Sequence, residues 1–327
     1  MVESMLDERV TPRAPAMSVV VATHNRSLRL TQLLAGLRAQ TLPLDAFEVI
    51  VVDDGSSDAT QEVLTGEARR GHLRLCIPPP AERAGPAAAR NAGWRLARAP
   101  FVAFTDDDCV PTPGWLETLL TAARRRPDAI VRGRTLPNPA EAHALGSFSK
   151  TIHIDGPSAN FETCNVAYPR ALLERIGGFD ESYGTGAGED SDLGCRALAA
   201  GGVPAFEPEA LVHHAVVARK PAAALRDALH AESVVRSYAQ HPRLRRNLFL
   251  GVFYDSSHPL LLTALGALFA RRRPAAALLA VPYAVHLRRR VAARGARPRH
   301  AAFFALFDAV QLVSTLRGAR KHRTFIV

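Results

Sequence analysis

The chain reads as an α/β protein with a mostly parallel central sheet and a C-terminal helical extension. Three observations predict this. Short apolar runs each end in a polar or acidic turn, helical-period segments separate those runs, and the charge balance reverses late in the chain. Strands alternating with helices imply a parallel sheet covered on both faces. Met17–Ala22 is the first strand, ending in Thr23-His24-Asn25-Arg26, and Leu28–Leu37 repeats apolar residues at roughly helical spacing. Phe47–Val52 is a second buried-type strand, closed by Asp53-Asp54-Gly55-Ser56-Ser57-Asp58. Ser57 or Asp58 caps the helix that follows through Gln61 and Leu64. His72–Ile77 reads as a third strand, Ala87–Ala97 as a helix, and Phe101–Phe104 as the fourth strand. Both acidic turns then leave strand carboxyl ends on one edge, where open α/β sheets bind ligands.

A chain of 327 residues, 47% hydrophobic and 22% charged, can bury a sizeable core as one large domain or a domain plus an appendage. The net charge of +10 conceals an asymmetry: residues 1–218 carry 21 Lys and Arg against 27 Asp and Glu, residues 219–327 carry 20 against 4. A basic appendage suits nucleic acid, anionic lipid or an acidic partner. With no recognised module or aromatic platform, no nucleic-acid partner is expected. Cys76, Cys109, Cys164 and Cys195 lack metal-type spacing and read as buried or free thiols of a reducing compartment. The expected organisation is a flexible leader over 1–15 without an export signal, a catalytic domain over 16–218, and a basic apolar helical region over 219–327.

The densest chemistry is Thr105-Asp106-Asp107-Asp108-Cys109, three carboxylates placed directly after the strand Phe101–Phe104. Adjacent carboxylates repel unless a cation or a shared proton relieves them. An all-oxygen cluster suits Mg²⁺ or Mn²⁺, bound through one or two carboxylates plus substrate phosphates. The alternative is a solvated acidic turn before Pro111. Asp53-Asp54-Gly55-Ser56 is either a tight turn or a carboxylate that accepts hydrogen bonds from a nucleobase or ribose. Arg83-Ala84-Gly85 precedes the small-residue helix start at Pro86, where a phosphate can approach, and Arg83 or Arg90 can add charge-assisted bonds to a diphosphate. Glu189 and Asp190 open a helix over Leu193–Ala200, either stabilising its macrodipole or serving as a general base. His213-His214 follows apolar Ala210-Leu211-Val212 and is either packed or a candidate to complete a metal shell.

Together these residues resemble glycosyltransferase family 2, inverting enzymes of the GT-A fold. The resemblance runs in order from Met17 to His214. It rests on Ser18–Arg26, Val51–Asp58, Ala89-Arg90-Asn91-Ala92-Gly93, Phe104–Asp108, Gly177-Gly178-Phe179-Asp180-Glu181 and Gly188-Glu189-Asp190. It implies that Ala22 and His24 line a nucleoside pocket, that Asp54 binds the base, and that Arg83 and Arg90 meet a diphosphate. Asp106 and Asp108 form the family's Asp-x-Asp pattern, with Asp107 between them. Asp108 is the implied direct metal ligand and Asp106 a ribose or water-mediated contact. Asp190 is the implied catalytic base, with Glu189 in support. The implied reaction moves a sugar from a nucleotide-diphosphate donor to a hydroxyl acceptor, lipid-linked or glycan, with Mn²⁺ or Mg²⁺. The competing classes are a non-catalytic nucleotide-sugar-binding module and a sugar-phosphate nucleotidyltransferase. The latter is expected to carry a Gly-rich basic loop where this chain has Ala22-Thr23-His24-Asn25-Arg26.

In the last third, apolar Leu260–Ala270 and Ala275–Leu287 are split by Arg271-Arg272-Arg273 and followed by Arg288-Arg289-Arg290; a third stretch runs from Ala301 to Leu316. The first two are shorter than the ~20 residues that cross a bilayer as a helix. Apolar helices flanked by Arg fit peripheral attachment to an anionic surface, here the inner face of the cell membrane, or else a helical subdomain with a solvated Arg face.

Overall fold

The computed structural model describes residues 14–79, 82–184, 187–269 and 274–327. Most of the expected leader, Thr185-Gly186 and Arg271-Arg272-Arg273 lie outside the described residues. In chain order the elements begin β1 (Met17–Thr23), α1 (Ser27–Arg38), β2 (Phe47–Asp53), α2 (Thr60–Arg70), β3 (Leu75–Cys76), α3 (Pro86–Leu96) and β4 (Phe101–Phe104). They continue with β5 (Cys109–Pro111), α4 (Trp115–Arg125), β6 (Ala129–Pro137), β7 (Val166–Pro169), α5 (Arg170–Ile176), α6 (Glu189–Ala199) and β8 (Val203–His214). Five helices follow: α7 (Pro221–Asp227), α8 (Ala231–Gln240), α9 (Ser257–Phe269), α10 (Val281–Ala293) and α11 (Ala301–Lys321). The chain divides into two compact units. The first takes in residues to Gly133 with Cys164–Gly177 and Gly202–Val212; the second comprises Arg134–Thr163, Gly178–Gly201 and His213–Val327.

The strands form an eight-stranded sheet in the order β3-β2-β1-β4-β7-β6-β8-β5. The half β3-β2-β1-β4 is parallel, whereas β7 runs antiparallel to both β4 and β6. The sheet is therefore mixed, and the alternating strand–helix pattern covers its parallel half. Every residue of β2 and β4 is buried, as expected of strands with both faces covered. Met17 pairs with Phe47 on one side and Phe101 on the other, so β1, β2 and β4 start level, and β4 ends at Phe104 opposite Val20, three residues before β1 and β2. Thr23 pairs with Asp53, and the chain past β2 is held by Asp54 N–H donating to Thr23 O at 2.8 Å. That register delivers Thr23–Arg26, Asp53–Asp58 and Thr105–Asp108 to one edge. The third strand is two residues long rather than six, because β3 is an outer strand that pairs only Leu75 and Cys76 with β2. The cap before α2 is Ala59; Asp58 instead accepts the Thr60 N–H at 3.1 Å.

Helix α3 lies close against the sheet because Gly93 has no side chain. A Cβ there would stand 2.5 Å from Val20 Cγ1 and 3.3 Å from Val52 Cγ2. Near the start of β2, buried Glu48 accepts from Ser18 Oγ at 2.6 Å, from Arg98 N–H at 2.7 Å, and from Arg98 Nε at 2.7 Å. Asn165 links α4 and β8, accepting from Trp115 Nε1 and donating to Ala210 O, each at 2.8 Å. All four cysteines are free.

In the second unit α8 packs on α11 and on α6. Gly318 of α11 permits the first contact: a Cβ there would come within 2.7 Å of Glu232 O. Asp192 of α6 is buried and accepts from His241 Nε2 at 2.7 Å and Arg196 Nε at 2.8 Å. Burial alone would raise its carboxyl, but those bonds outweigh it and hold the group below the usual range. One apolar cluster joins Leu261, Tyr283 and Leu312; another joins Val235, Leu248, Ala319 and Ile326. The stretch Pro298–Lys321 is, among the described residues, the one helix long and apolar enough to cross a membrane by length and composition, and 33% of its apolar window is buried inside the protein. It carries Asp308, fully buried and bonded to Arg290 and Tyr283.

Burial raises the Glu48 carboxyl, yet bonds from Ser18 and Arg98 leave it net below its usual value. Glu48 thus stabilises the fold above its unfolded-state pKa of about 4.3 and loses that contribution as pH falls through the lower folded value. Glu48→Ala strands buried donors and should cost roughly 1–3 kcal/mol in urea denaturation at neutral pH. The deficit should shrink when the titration is repeated below about pH 4.

Candidate functional site

The carboxyl edge of β1, β2 and β4 in the first unit collects most of the residues singled out in the sequence. The turn after β1 forms its base. Asn25 adopts φ 53° and accepts from the Ser57 and Asp58 N–H groups at 2.7 and 3.2 Å, locking the β1 turn to the β2 turn. Half-buried His24 donates from Nδ1 to Asp54 O at 2.8 Å, which leaves Nε2 to accept from Asn25 Nδ2 at 3.2 Å. That pair of bonds selects one neutral tautomer. Ala22 lies half-buried beside it.

Asp54 is buried and accepts the Ala84 N–H at 2.7 Å and the Gly85 N–H at 3.0 Å. It thereby pins the loop that leads into α3, and Gly85 takes φ 96° to make the turn. Arg83, next in that loop, is exposed. Asp53 is bonded to the Ser56 N–H and to Gln61, a structural role within the turn.

The triplet after β4 has its charges compensated locally. Asp106 accepts from Arg90 Nη2 of α3 at 2.8 Å. Asp107 is buried and accepts from Thr23 Oγ1 at 2.8 Å and Arg26 Nη1 at 2.9 Å. The same Arg26 nitrogen reaches Asp108 Oδ2 at 2.5 Å. Burial pushes the Asp107 carboxyl up to about 6; Arg26 lowers it, while Asp108 and Asp106 add to the rise. The carboxylates in turn push the Arg26 guanidinium upward, outweighing the opposite effect of its burial. Arg26 and Thr23 are the participants that sequence reading missed as part of the cluster. Both lie in the polar turn already noted after β1, but 81 and 84 residues separate them from Asp107.

The other expected site residues belong to the second unit. Glu189 and Asp190 occupy the first turn of α6, with Glu189 buried and Asp190 accepting the Ser191 N–H at 2.7 Å. Gly188 before them has φ 112°, and its carbonyl accepts from Ser237 Oγ of α8 at 3.0 Å. His214 is buried, with Nδ1 on Ala215 O at 2.9 Å. His213 is half-buried, and burial lowers its pKa.

A family model described as glycosyl transferase family 2 matches residues 18–165. Residues 18–165, somewhat less than half of the chain, are thus similar to family 2 glycosyltransferases. The matched stretch contains Ala22, His24, Asp54, Arg83, Arg90 and the Asp106–Asp108 triplet; Glu189, Asp190, His213 and His214 lie beyond it. Validoxylamine A glucosyltransferase of Streptomyces hygroscopicus subsp. jinggangensis is 33% identical over 231 residues, 59% of this chain and 54% of that protein. Pre-mycofactocin glycosyltransferase of Mycobacterium tuberculosis is 33% identical over 229 residues, 64% of this chain and 46% of that one. The chain thus spans about half the length of the curated relatives it matches. Among solved structures, mannosyltransferase PcManGT from Pyrobaculum calidifontis, in complex with GDP-Man and Mn²⁺, matches with a TM-score of 0.57 at 22% identity, over 95% of this chain and 87% of its own. The chain therefore has the GT-A fold, with its mixed α/β sheet.

Arg26 offsets two buried carboxylates, so its loss should be felt in the fold itself. Arg26→Ala should lower stability in EDTA by roughly 1–3 kcal/mol, because Asp107 and Asp108 lose a charged donor while remaining buried. Arg26→Lys should recover part of that loss in thermal unfolding. Equal melting of Arg26→Ala and the parent would mean that solvent compensates the pair.

Proposed function

We propose that this chain is a metal-dependent, inverting glycosyltransferase moving a sugar from a nucleotide-diphosphate donor to a hydroxyl acceptor, lipid-linked or glycan. The observation that carries the reading is the carboxylate triplet at the carboxyl edge of parallel strands, inside the stretch that matches the family. The relatives' activities and the neighbour's GDP-Man and Mn²⁺ support it. The catalytic domain is residues 16–218, and residues 219–327 form a membrane-associating region.

In this reading Ala22 and His24 line the nucleoside pocket, Asp54 meets the base, and Arg83 and Arg90 meet the diphosphate. Asp106 and Asp107 complete the donor pocket, and Asp108 with Asp106 holds Mn²⁺ or Mg²⁺, the shell closed by His213 or His214. The triplet fits such an ion: its donors are carboxylate oxygens, and it already draws positive charge from Arg26 and Arg90. When bound, the ion supplies Lewis-acid stabilisation of charge on the leaving diphosphate. Asp190 accepts the proton of the acceptor hydroxyl during in-line attack at the anomeric carbon, with Glu189 in support. General-base precedent gives that step roughly 10²–10⁴-fold. Holding both substrates in line contributes at least comparably. The segment 132–162 contacts the acceptor.

Calorimetry with a panel of nucleoside diphosphates, with and without Mn²⁺, tests the reading. Asp108→Ala should abolish metal-dependent binding. Asp190→Asn should bind normally while transfer falls by about 10²-fold or more. Substantial turnover by Asp190→Asn would move the base to Glu189. Absence of binding to every nucleotide would remove both the transferase and the binding-module readings.

The accompanying location is peripheral, on the inner face of the cell membrane. Leu278, Leu279, Val281 and Val285 are exposed beside exposed Arg288 and Arg289, an arrangement that suits an anionic interface at about 1 kcal/mol per cation near the surface. Full-length protein should pellet with membranes and resist high salt, and a Leu278→Ser/Leu279→Ser/Val281→Ser variant should be released. Protein that stays in the supernatant at low salt without detergent would refute attachment.

A further inference from the structure

The second unit contains a cleft of about 820 Å³ whose wall is part cationic and part aromatic. Small-molecule sites typically occupy about 300–1,000 Å³. The cationic wall consists of Lys150, Arg219, Arg290 and Arg294. Asp227 and Asp308 pair directly with three of these four cations, and Asp255 acts on Arg290 from nearby. Asp227 accepts from Arg219 Nη1 at 2.7 Å and lies 3.6 Å from Lys150 Nζ, while Asp308 holds Arg290. Arg294 has no carboxylate partner among the described residues; its Nη1 donates to Ser147 O at 3.2 Å. Arg219 Nε is buried with no hydrogen-bond partner among the described residues. Partial desolvation lowers the pKa of the otherwise exposed Arg294, and the nearby Arg290 and Arg219 charges lower it further. The group of four therefore carries more positive charge than its neighbouring acids offset, and it retains an unused donor at Arg219 Nε.

Phe148, Phe303, Phe304 and Phe307 also line the cleft, next to these cations. Phe148 meets Phe303 edge-on with centroids 4.7 Å apart. The Arg290 guanidinium lies over Phe304 and Phe307 at 5.1 and 5.2 Å, and that of Arg294 over Phe304 at 5.8 Å. These cation–ring contacts hold the two guanidiniums at the cleft, where donors beyond those bonded to Asp308 and Ser147 remain for a ligand.

We propose that this cleft binds a phosphate monoester carrying an apolar chain or ring. Such a phosphate has a charge of about −1.5 to −2 at pH 7, opposite in sign to the unoffset charge, and its oxygens suit guanidinium forks. The phenyl wall takes the apolar part. The site stands within one unit and does not rest on the transferase reading.

The test titrates full-length protein with decyl phosphate below its micelle concentration, using inorganic phosphate and decanol as single-feature controls. Decyl phosphate should bind with one-to-one stoichiometry, at least about tenfold tighter than either control. Arg294→Glu should weaken it by about tenfold or more, and Arg294→Lys by less. Arg294 is exposed and makes one backbone bond, so circular dichroism of the variant should match the parent. Phe303→Ala should weaken decyl phosphate binding without changing that of inorganic phosphate. Phosphatidylcholine vesicles with and without phosphatidic acid separate the two sources. Binding that requires phosphatidic acid and Arg294 assigns a lipid headgroup, whereas binding of monomeric decyl phosphate alone assigns a free amphiphile. Decyl phosphate binding no tighter than inorganic phosphate, or unchanged in both variants, would overturn the proposal. Nucleotide binding in the same preparations reports separately on the transferase reading.

Discussion

Charge compensation at the carboxyl edge of β1, β2 and β4 is the constraint around which the first unit is arranged. Five carboxylates, Asp53, Asp54, Asp106, Asp107 and Asp108, leave the sheet within two short turns. Parallel register forces them to one edge, and burial of Asp53, Asp54, Asp107 and Asp108 removes the solvent that would otherwise screen them. Each finds a different remedy: backbone N–H groups for Asp54, a side-chain amide and an N–H for Asp53, and guanidiniums for the triplet. The polar turn after β1 and the start of α3 then have little freedom, since they supply the compensating groups.

This arrangement separates two jobs that a sequence shows as one acidic pattern. Asp53 and Asp54 spend hydrogen-bonding capacity on shaping loops, whereas Asp107 and Asp108 share a single Arg26 nitrogen. A cation arriving at Asp108 meets a guanidinium already in place, so affinity there reflects exchange of one positive group for another rather than filling of a bare site. The Arg26 side chain is 47% exposed, so water screens part of its interaction with the two carboxylates. An exchangeable counter-charge of this kind keeps a buried acidic pair foldable before a ligand arrives.

The parallel core was legible because β1, β2 and β4 are continuous apolar runs of a length only buried strands use, each ended by polar residues. The acidic edge followed from those endings. Other features were not legible. β3 is cut to Leu75-Cys76 by its outer position, which the apolar pattern of 72–77 does not encode. The antiparallel β7 follows a long segment with no strand-like periodicity. The Arg26 bridge is a pairing across 81 residues, set by register rather than by local pattern. The second unit is assembled from three separate segments, and composition locates only the last of them.

That last segment shows why hydropathy and charge should be weighed with pairing. Its four acids are few against 20 basic residues, yet each is bonded: Asp227 to Arg219, Glu232 to Lys321, Asp255 to the Ser257 N–H, and Asp308 to Arg290 and Tyr283. Asp308 decides how α11 should be read. Burial raises its carboxyl, and the Arg290 charge with the bonds from Arg290 and Tyr283 lowers it without cancelling that rise. The helix anchors inward through the Asp308–Arg290 pair and through Leu312 and Ala319, which pack in two side-chain clusters, while Leu306, Val313 and Leu316 remain exposed on it. The exposed apolar surface of this region is accordingly shared between Leu278, Leu279, Val281 and Val285, which lie near arginines in the chain, and Leu306, Val313 and Leu316 of α11.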